Sequence, residues 1–69
     1  SRRMLSYLQG GKPMSVQNVQ LADSIEWDGI NAGLVTSIDR NYEPGFIWIH
    51  CTAAGWLRIG QYESVKVIG

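Results

Sequence analysis

Three groups of side chains in this chain are of types that do chemistry. The first is the adjacent pair His50-Cys51. Neighbours on an extended strand point to opposite faces, so this imidazole and thiol cannot share a metal or act as base and nucleophile. The chain has no second histidine or cysteine, whereas structural zinc takes four such ligands. Cys51 is therefore expected to be buried as a small hydrophobe, with His50 on the other face. No metal or cofactor is expected. The second group is Asp23, Glu26 and Asp28. Glu26 and Asp28 share a strand face by period two, the arrangement of a paired acid and base. Solvated strand-face carboxylates are far commoner, and no catalytic residue is assigned. The third group is aromatic and basic: Phe46, Trp48 and His50 alternate through "FIWIHC", Trp56 and Arg58 through "WLRI", and Tyr62 follows. Aromatics with arginine are the composition of contact hot spots.

Which face of those strands is the core decides what the third group does. Ile47, Ile49 and Cys51 take one face of the first strand, and Leu57 and Ile59 one face of the second. If these pack inward, Phe46, Trp48, His50, Trp56 and Arg58 form one outward surface with Tyr62 beside it. A contiguous exposed patch of that kind marks a contact site. In the alternative, the rings wrap into the core and the N-terminal segment caps the aliphatic face.

The elements that must position these residues are short strands. "SIEWD" alternates, with Ile25 and Trp27 on one face. "DGINAG" reads as a turn, because Asp-Gly is a strong turn pair and Gly33 permits close backbone approach. "LVTSI" is β-branched, "DRNYEPG" is a loop of turn formers, and "AAG" and "GQYES" are tight connections. "FIWIHCT", apolar on both faces, is expected in a central, twice-covered position. "VKVI" closes the chain, and "VQNVQL" is a lead-in without clear period. About five strands with no helix to cover a sheet face favour closure into a barrel, which removes exposed edges. Trp27 is then expected inside, with Gly33 letting the second strand bend around it. Residues 1–15 are expected as an N-terminal arm, flexible or docked, in which Met4, Leu5, Tyr7 and Leu8 could line a short helix before Gly10, Gly11 and Pro13. Residues 16–69 are the barrel.

A chain of 69 residues buries roughly 60% of its unfolded surface, so every large side chain matters. Trp27, Trp48, Trp56 and Phe46 are expected to supply much of the core. Self-association would add burial, and a homo-oligomer is expected. The formal net charge is zero, but unevenly spread. Arg2, Arg3 and Lys12 fall in a stretch with no acid. From Met14 onward Arg40, Arg58 and Lys66 face Asp23, Glu26, Asp28, Asp39, Glu43 and Glu63. A mildly acidic barrel does not attract nucleic acid by bulk charge. The glycines form no phosphate-binding G-x-x-x-x-G-K-[ST] loop. No apolar run approaches a membrane span or a signal peptide, and the one cysteine fits a reducing compartment. A cytoplasmic location is expected.

The residues resemble the SH3-like small-barrel group. In "DSIEWDGINAGLV", Asp23 to Val35, the positions Ile25, Trp27, Gly29, Gly33 and Val35 look like the KOW pattern. "RIGQYESVKVI", Arg58 to Ile68, is similar to the closing segment of SH3 domains, which implies one turn of 3₁₀-helix before the last strand. The proline usual there is absent, so a groove for proline-rich peptides is not implied. One member of the group, the type II dihydrofolate reductase, is an enzyme with a tetrameric pore. It carries Gln-Ile-Tyr where this chain has Arg58, Ile59 and Gly60, so Ile59 alone matches.

The expected function is a small non-enzymatic binding module. It acts through Phe46, Trp48, His50, Trp56, Arg58 and Tyr62 on a protein partner or on a second copy, as a regulator or inhibitor of a larger protein would. The alternative is KOW-like RNA binding through Trp48, Trp56, Tyr62 and Arg58, with Arg2 and Arg3 as a basic arm; stacking on aromatics is worth roughly 1–3 kcal/mol per base. A pore reductase is the third and weakest reading.

Overall fold

The computed structural model describes residues 11–68. Expectations placed on Arg2, Arg3 and the Met4–Leu8 helix face lie outside the described residues. Those described form six antiparallel strands: β1 (Lys12–Ser15), β2 (Ser24–Trp27), β3 (Ile30–Asp39), β4 (Phe46–Cys51), β5 (Gly55–Gly60) and β6 (Ser64–Ile68), with one 3₁₀ turn at Val16–Asn18. Their order in the sheet is β1-β6-β2-β3-β4-β5. The all-β architecture stands, but the barrel is not closed. β1 and β5 are the two ends, and no ladder joins them. Edge strands must resist pairing with other chains. β1 is only four residues long and carries Lys12 and Pro13, both residue types that blunt an edge.

The last four residues assigned to the arm, Lys12–Ser15, are β1, one strand more than the five expected, paired with β6 from Lys12↔Val67 to Ser15↔Ser64. This part of the arm is docked. The lead-in then makes its 3₁₀ turn, capped by the Ser15 side chain. Residues three apart eclipse in a 3₁₀ turn, which explains why Val16 and Val19 both reach the core without strand period. Arg40 donates to the carbonyls of Gln17 and Val19, at 3.3 and 3.2 Å, and holds the turn against the sheet.

The hairpin is tighter than "DGINAG" suggests. Trp27 pairs with Ile30, so the turn is Asp28-Gly29 alone. Both have positive φ, 53° and 78°, as the twist-compatible two-residue hairpin requires. Ile30–Gly33 therefore belongs to β3. Along β3 the inward residues Ala32, Val35 and Ile38 fall three apart instead of two. Gly33 at φ 91° and a register shift between Val35 and Ser37 re-aim the strand, as bulges do. Gly33 makes its close approach to the β4–β5 turn, not to Trp27. A Cβ there would lie 2.3 Å from Thr52 Oγ1, and that hydroxyl accepts from the Leu34 N–H at 3.0 Å.

The core is aliphatic. Val16, Val19, Ile25, Ala32, Val35, Ile47, Ile49, Cys51, Ile59 and Val65 are buried, and no tryptophan is among them. This corrects the expectation that the indoles and Phe46 supply the interior. Ile25 occupies the place assigned to Trp27, which packs half-buried at the core's margin. The reason is space: inside so small a curled sheet branched aliphatic chains pack closely, and a ring of indole size reaches past them. β4 is central in its ladder, flanked by β3 and β5, but it is covered on one face only. Ile47, Ile49 and Cys51 point in, while Phe46, Trp48 and His50 remain half-exposed. The 3₁₀ turn implied before the last strand is instead a single β-turn at Gln61-Tyr62, closed by Glu63 N–H to the Gly60 carbonyl at 2.9 Å.

Candidate functional site: an aromatic outer face

With the aliphatic face inward, β4 and β5 turn their alternate residues outward together. Trp48 pairs with Arg58 and His50 with Trp56 across the ladder. On the other side of β4, Asp39 pairs with Trp48 and Ser37 with His50. Five of the six residues expected to form a contact surface, Phe46, Trp48, His50, Trp56 and Arg58, therefore share one face. Tyr62 is 86% exposed in the β5–β6 turn and stands apart from the ring contacts that link the others.

Those contacts form a network with Glu43 at its centre. The Arg58 guanidinium donates to Glu43 through Nε to Oε1 and through Nη2 to Oε2, both at 2.8 Å. It also lies 3.5 Å from the centroid of the Phe46 ring, a cation–π contact. The Trp48 indole N–H donates to Glu43 Oε1 at 3.2 Å. The fork from Arg58 holds the Glu43 carboxyl below its usual range; burial opposes this, and the indole bond and the nearby positive charge add to the lowering. The same bond raises Arg58. Tyr42 meets Trp48 edge-to-face at 5.5 Å between centroids, and His50 meets Trp56 likewise at 5.2 Å. Thr36 Oγ1 sits 2.7 Å from His50 Nδ1 and donates to the His50 carbonyl at 3.2 Å, which pins the ring.

Sequence reasoning passed over Tyr42, Glu43 and Asp39. They lie in or beside the β3–β4 loop, read only as turn formers. Glu43-Pro44-Gly45-Phe46 is a β-turn closed by Phe46 N–H to the Glu43 carbonyl at 3.2 Å, with Gly45 at φ 85°, the pattern of a type II turn. It folds the loop back so that Glu43 meets β4 and β5 side chains. The available signal was an arginine beside two aromatics with no acid on its own strand.

The other chemistry-bearing groups have structural surroundings. Cys51 is fully buried opposite His50, as expected, and burial pushes its thiol up. Asp23 accepts from the Gln20 N–H at 2.9 Å and serves as a local cap. Asp28 is a turn residue, so its period-two relation to Glu26 fails. Glu26 lies opposite Lys66 in the β2–β6 ladder. Among the described residues no group of three or more His, Cys, Asp or Glu side chains gathers, and no helix is long and apolar enough to cross a membrane.

Beside the network the face opens into a cleft of about 390 Å³ lined by Asp39, Tyr42, Trp48 and Trp56. Tyr42 and Trp56 remain 73% and 52% exposed. Interlocked rings around an acidic hollow can stack and embrace a partner group, and comparison with protein families, curated proteins and solved structures matches this chain to none of them.

Proposed function

We propose that this chain is a non-enzymatic binding module that grips a protein partner, or a second copy of itself, through the outer face of β4 and β5. The carrying observation is that Phe46, Trp48, His50, Trp56 and Arg58 are locked into one surface by Glu43, Tyr42 and Thr36. None of these rings is needed to fill the core. Side chains held before binding lose less freedom on association, and aromatics with arginine are the residues that dominate interface energetics. Regulation or inhibition of a larger protein is the wider role that suits so small a module. We read its architecture as an SH3-like arrangement left open between its end strands. Its support is that the KOW-type positions Ile25 and Val35 are core residues and Gly33 is a tight crossing point.

Two observations weigh against the other readings. Arg58 is occupied by Glu43 and Arg40 by backbone carbonyls, and Asp39 lines the cleft, so among the described residues neither arginine near this face is free for phosphates. Ile59, the one residue matching the reductase strand, is fully buried, which weighs against its side chain lining a pore.

Photocrosslinking tests the proposal. A photoreactive phenylalanine analogue replaces Trp56 in one variant and Ile30 in another. Ile30 is 59% exposed and lies at the far end of β3 from Asp39. In the native cell the position-56 probe is expected to trap a protein, or a second copy, that the position-30 probe does not. Equal trapping at both positions, or capture of nucleic acid alone at position 56, overturns it.

A further inference from the structure

The cleft beside the network has a chemistry of its own. Among the described residues it is lined by three aromatic residues, Tyr42, Trp48 and Trp56, and one acidic residue, Asp39. We infer that it is a site for an alkylammonium cation, supplied by a lysine side chain of the protein partner and held more tightly when that lysine is methylated. The source of the cation rests on the contact function proposed above; the cation preference rests on the cleft alone.

Charge comes first. Glu43 is neutralised by Arg58, but among the described residues no base pairs with Asp39. Its Oδ1 accepts the Asn41 backbone N–H, at 2.9 Å. Among the described residues two arginines that could approach it are committed elsewhere, Arg58 to Glu43 and Phe46 and Arg40 to two carbonyls. Among the described residues the negative charge in the hollow has no ion-pair partner. Ring electrostatics point the same way. The Trp48 N–H is turned to Glu43, so the donor that could greet an anion or a carbonyl is already used. What Trp48 offers the cleft is then electron-rich ring surface, which attracts cations within about 6 Å of a centroid.

Geometry comes second. Asp39 and Trp48 are direct cross-strand partners, which sets the carboxylate beside one indole. Trp56 lies on the next strand, two residues from Arg58, the partner of Trp48. Such diagonal positions stand about 7–8 Å apart, room for one cation between two rings. A volume of about 390 Å³ is at the small end of ligand sites, which run from about 300 to 1,000 Å³. It suits a single headgroup. A methylated ammonium sheds its water more readily than a bare one and places methyl groups against the rings, so methylation is expected to strengthen the contact.

The test follows the three indole N–H signals of the full chain by nitrogen-15 NMR. Choline is titrated against its neutral isostere 3,3-dimethylbutan-1-ol, then a lysine peptide against the same peptide trimethylated at lysine. Choline is expected to shift Trp48 and Trp56 and leave Trp27 unmoved, with the isostere at least about fivefold weaker. The trimethylated peptide is expected to bind more tightly than the unmodified one. Asp39→Asn keeps the Oδ1 acceptor for Asn41 and is expected to weaken choline about five- to tenfold, and Trp56→Ala to abolish saturable binding. Equal binding of choline and its isostere, or no loss in Asp39→Asn, overturns the cation site. Choline binding without peptide binding overturns the lysine source. A position-56 crosslink that persists while choline fails leaves the contact function standing and removes only the ligand chemistry.

Discussion

Glu43 is the residue on which the outer face turns, since it ties Arg58 and Trp48 to the β3–β4 loop. Its carboxyl is held below the ordinary value of 4.5. A folded-state value below the unfolded one adds stability that is present above the unfolded value and is lost as pH falls through the folded one. Wild type is therefore expected to melt above Glu43→Gln at pH 7, by a modest margin because the pair is partly solvated. The two are expected to converge as pH falls below the ordinary carboxylate range. A gap that persists unchanged at pH 2, measured by thermal melts across pH, counts against the assigned role. Cys51 presents the opposite case, a nucleophile without access. It is fully buried, and burial raises its thiol, so less of it is thiolate at any pH. Reaction with a thiol-specific disulfide reagent is expected to be at least about a thousandfold slower than in the urea-unfolded chain. A native rate near the unfolded one would place Cys51 outside the core.

At the scale of elements, β3 carries the sharpest constraint. Gly33 has φ 91°, and an added Cβ meets Thr52 Oγ1 and the Ala53 nitrogen, at 2.3 and 3.0 Å. Thr52 Oγ1 also holds Leu34, so it cannot retreat without breaking the clamp between β3 and the β4–β5 turn. Gly29 has a similar φ, 78°, with nothing within 4 Å of an added Cβ. Gly29→Ala is expected to lose about 1 kcal/mol, the cost of left-handed backbone alone, and Gly33→Ala about 2–3 kcal/mol from backbone strain and steric clash together. Equal losses in urea titrations would mean that the close crossing is unimportant. These two glycines also mark how far the sequence could be read. Asp28-Gly29 was legible because its chemistry is local: both residues must take positive φ in a two-residue hairpin. Gly33 was legible as a close approach but not for what approaches, since Thr52 lies 19 positions along the chain. The same limit hid β1. Lys12–Ser15 has weak strand character of its own and is ordered by pairing with β6, a partner about fifty positions away in sequence. Glu43 was likewise invisible as a site residue until the Pro44-Gly45 turn brought it back to β5.

Over the whole molecule, alternation along β4 and β5 divides one pair of strands between two jobs. Ile47, Ile49, Cys51 and Ile59 hold the sheet's halves together, and Phe46, Trp48, His50, Trp56 and Arg58 face outward. The period-two pattern was visible in the sequence, and so were both possible orientations. Composition alone pointed to the wrong filling, because ring size was weighed above fit in a small aliphatic core. The division predicts that folding and binding separate under mutation. Ile49 is fully buried, and Ile49→Ala is expected to cost about 2–5 kcal/mol. A chain of this length holds about 3–10 kcal/mol in all, so that variant is expected to be partly or wholly unfolded at 25 °C. Trp56 is a larger side chain but half-exposed, and Trp56→Ala is expected to change stability by no more than about 1 kcal/mol. Its far-ultraviolet circular dichroism and melting curve should resemble wild type while its contacts with the partner disappear. If Trp56→Ala unfolds the chain as Ile49→Ala does, the indole is structural and the outer face is not a free surface. If Ile49→Ala melts like wild type, the aliphatic layer is not what holds this open sheet together.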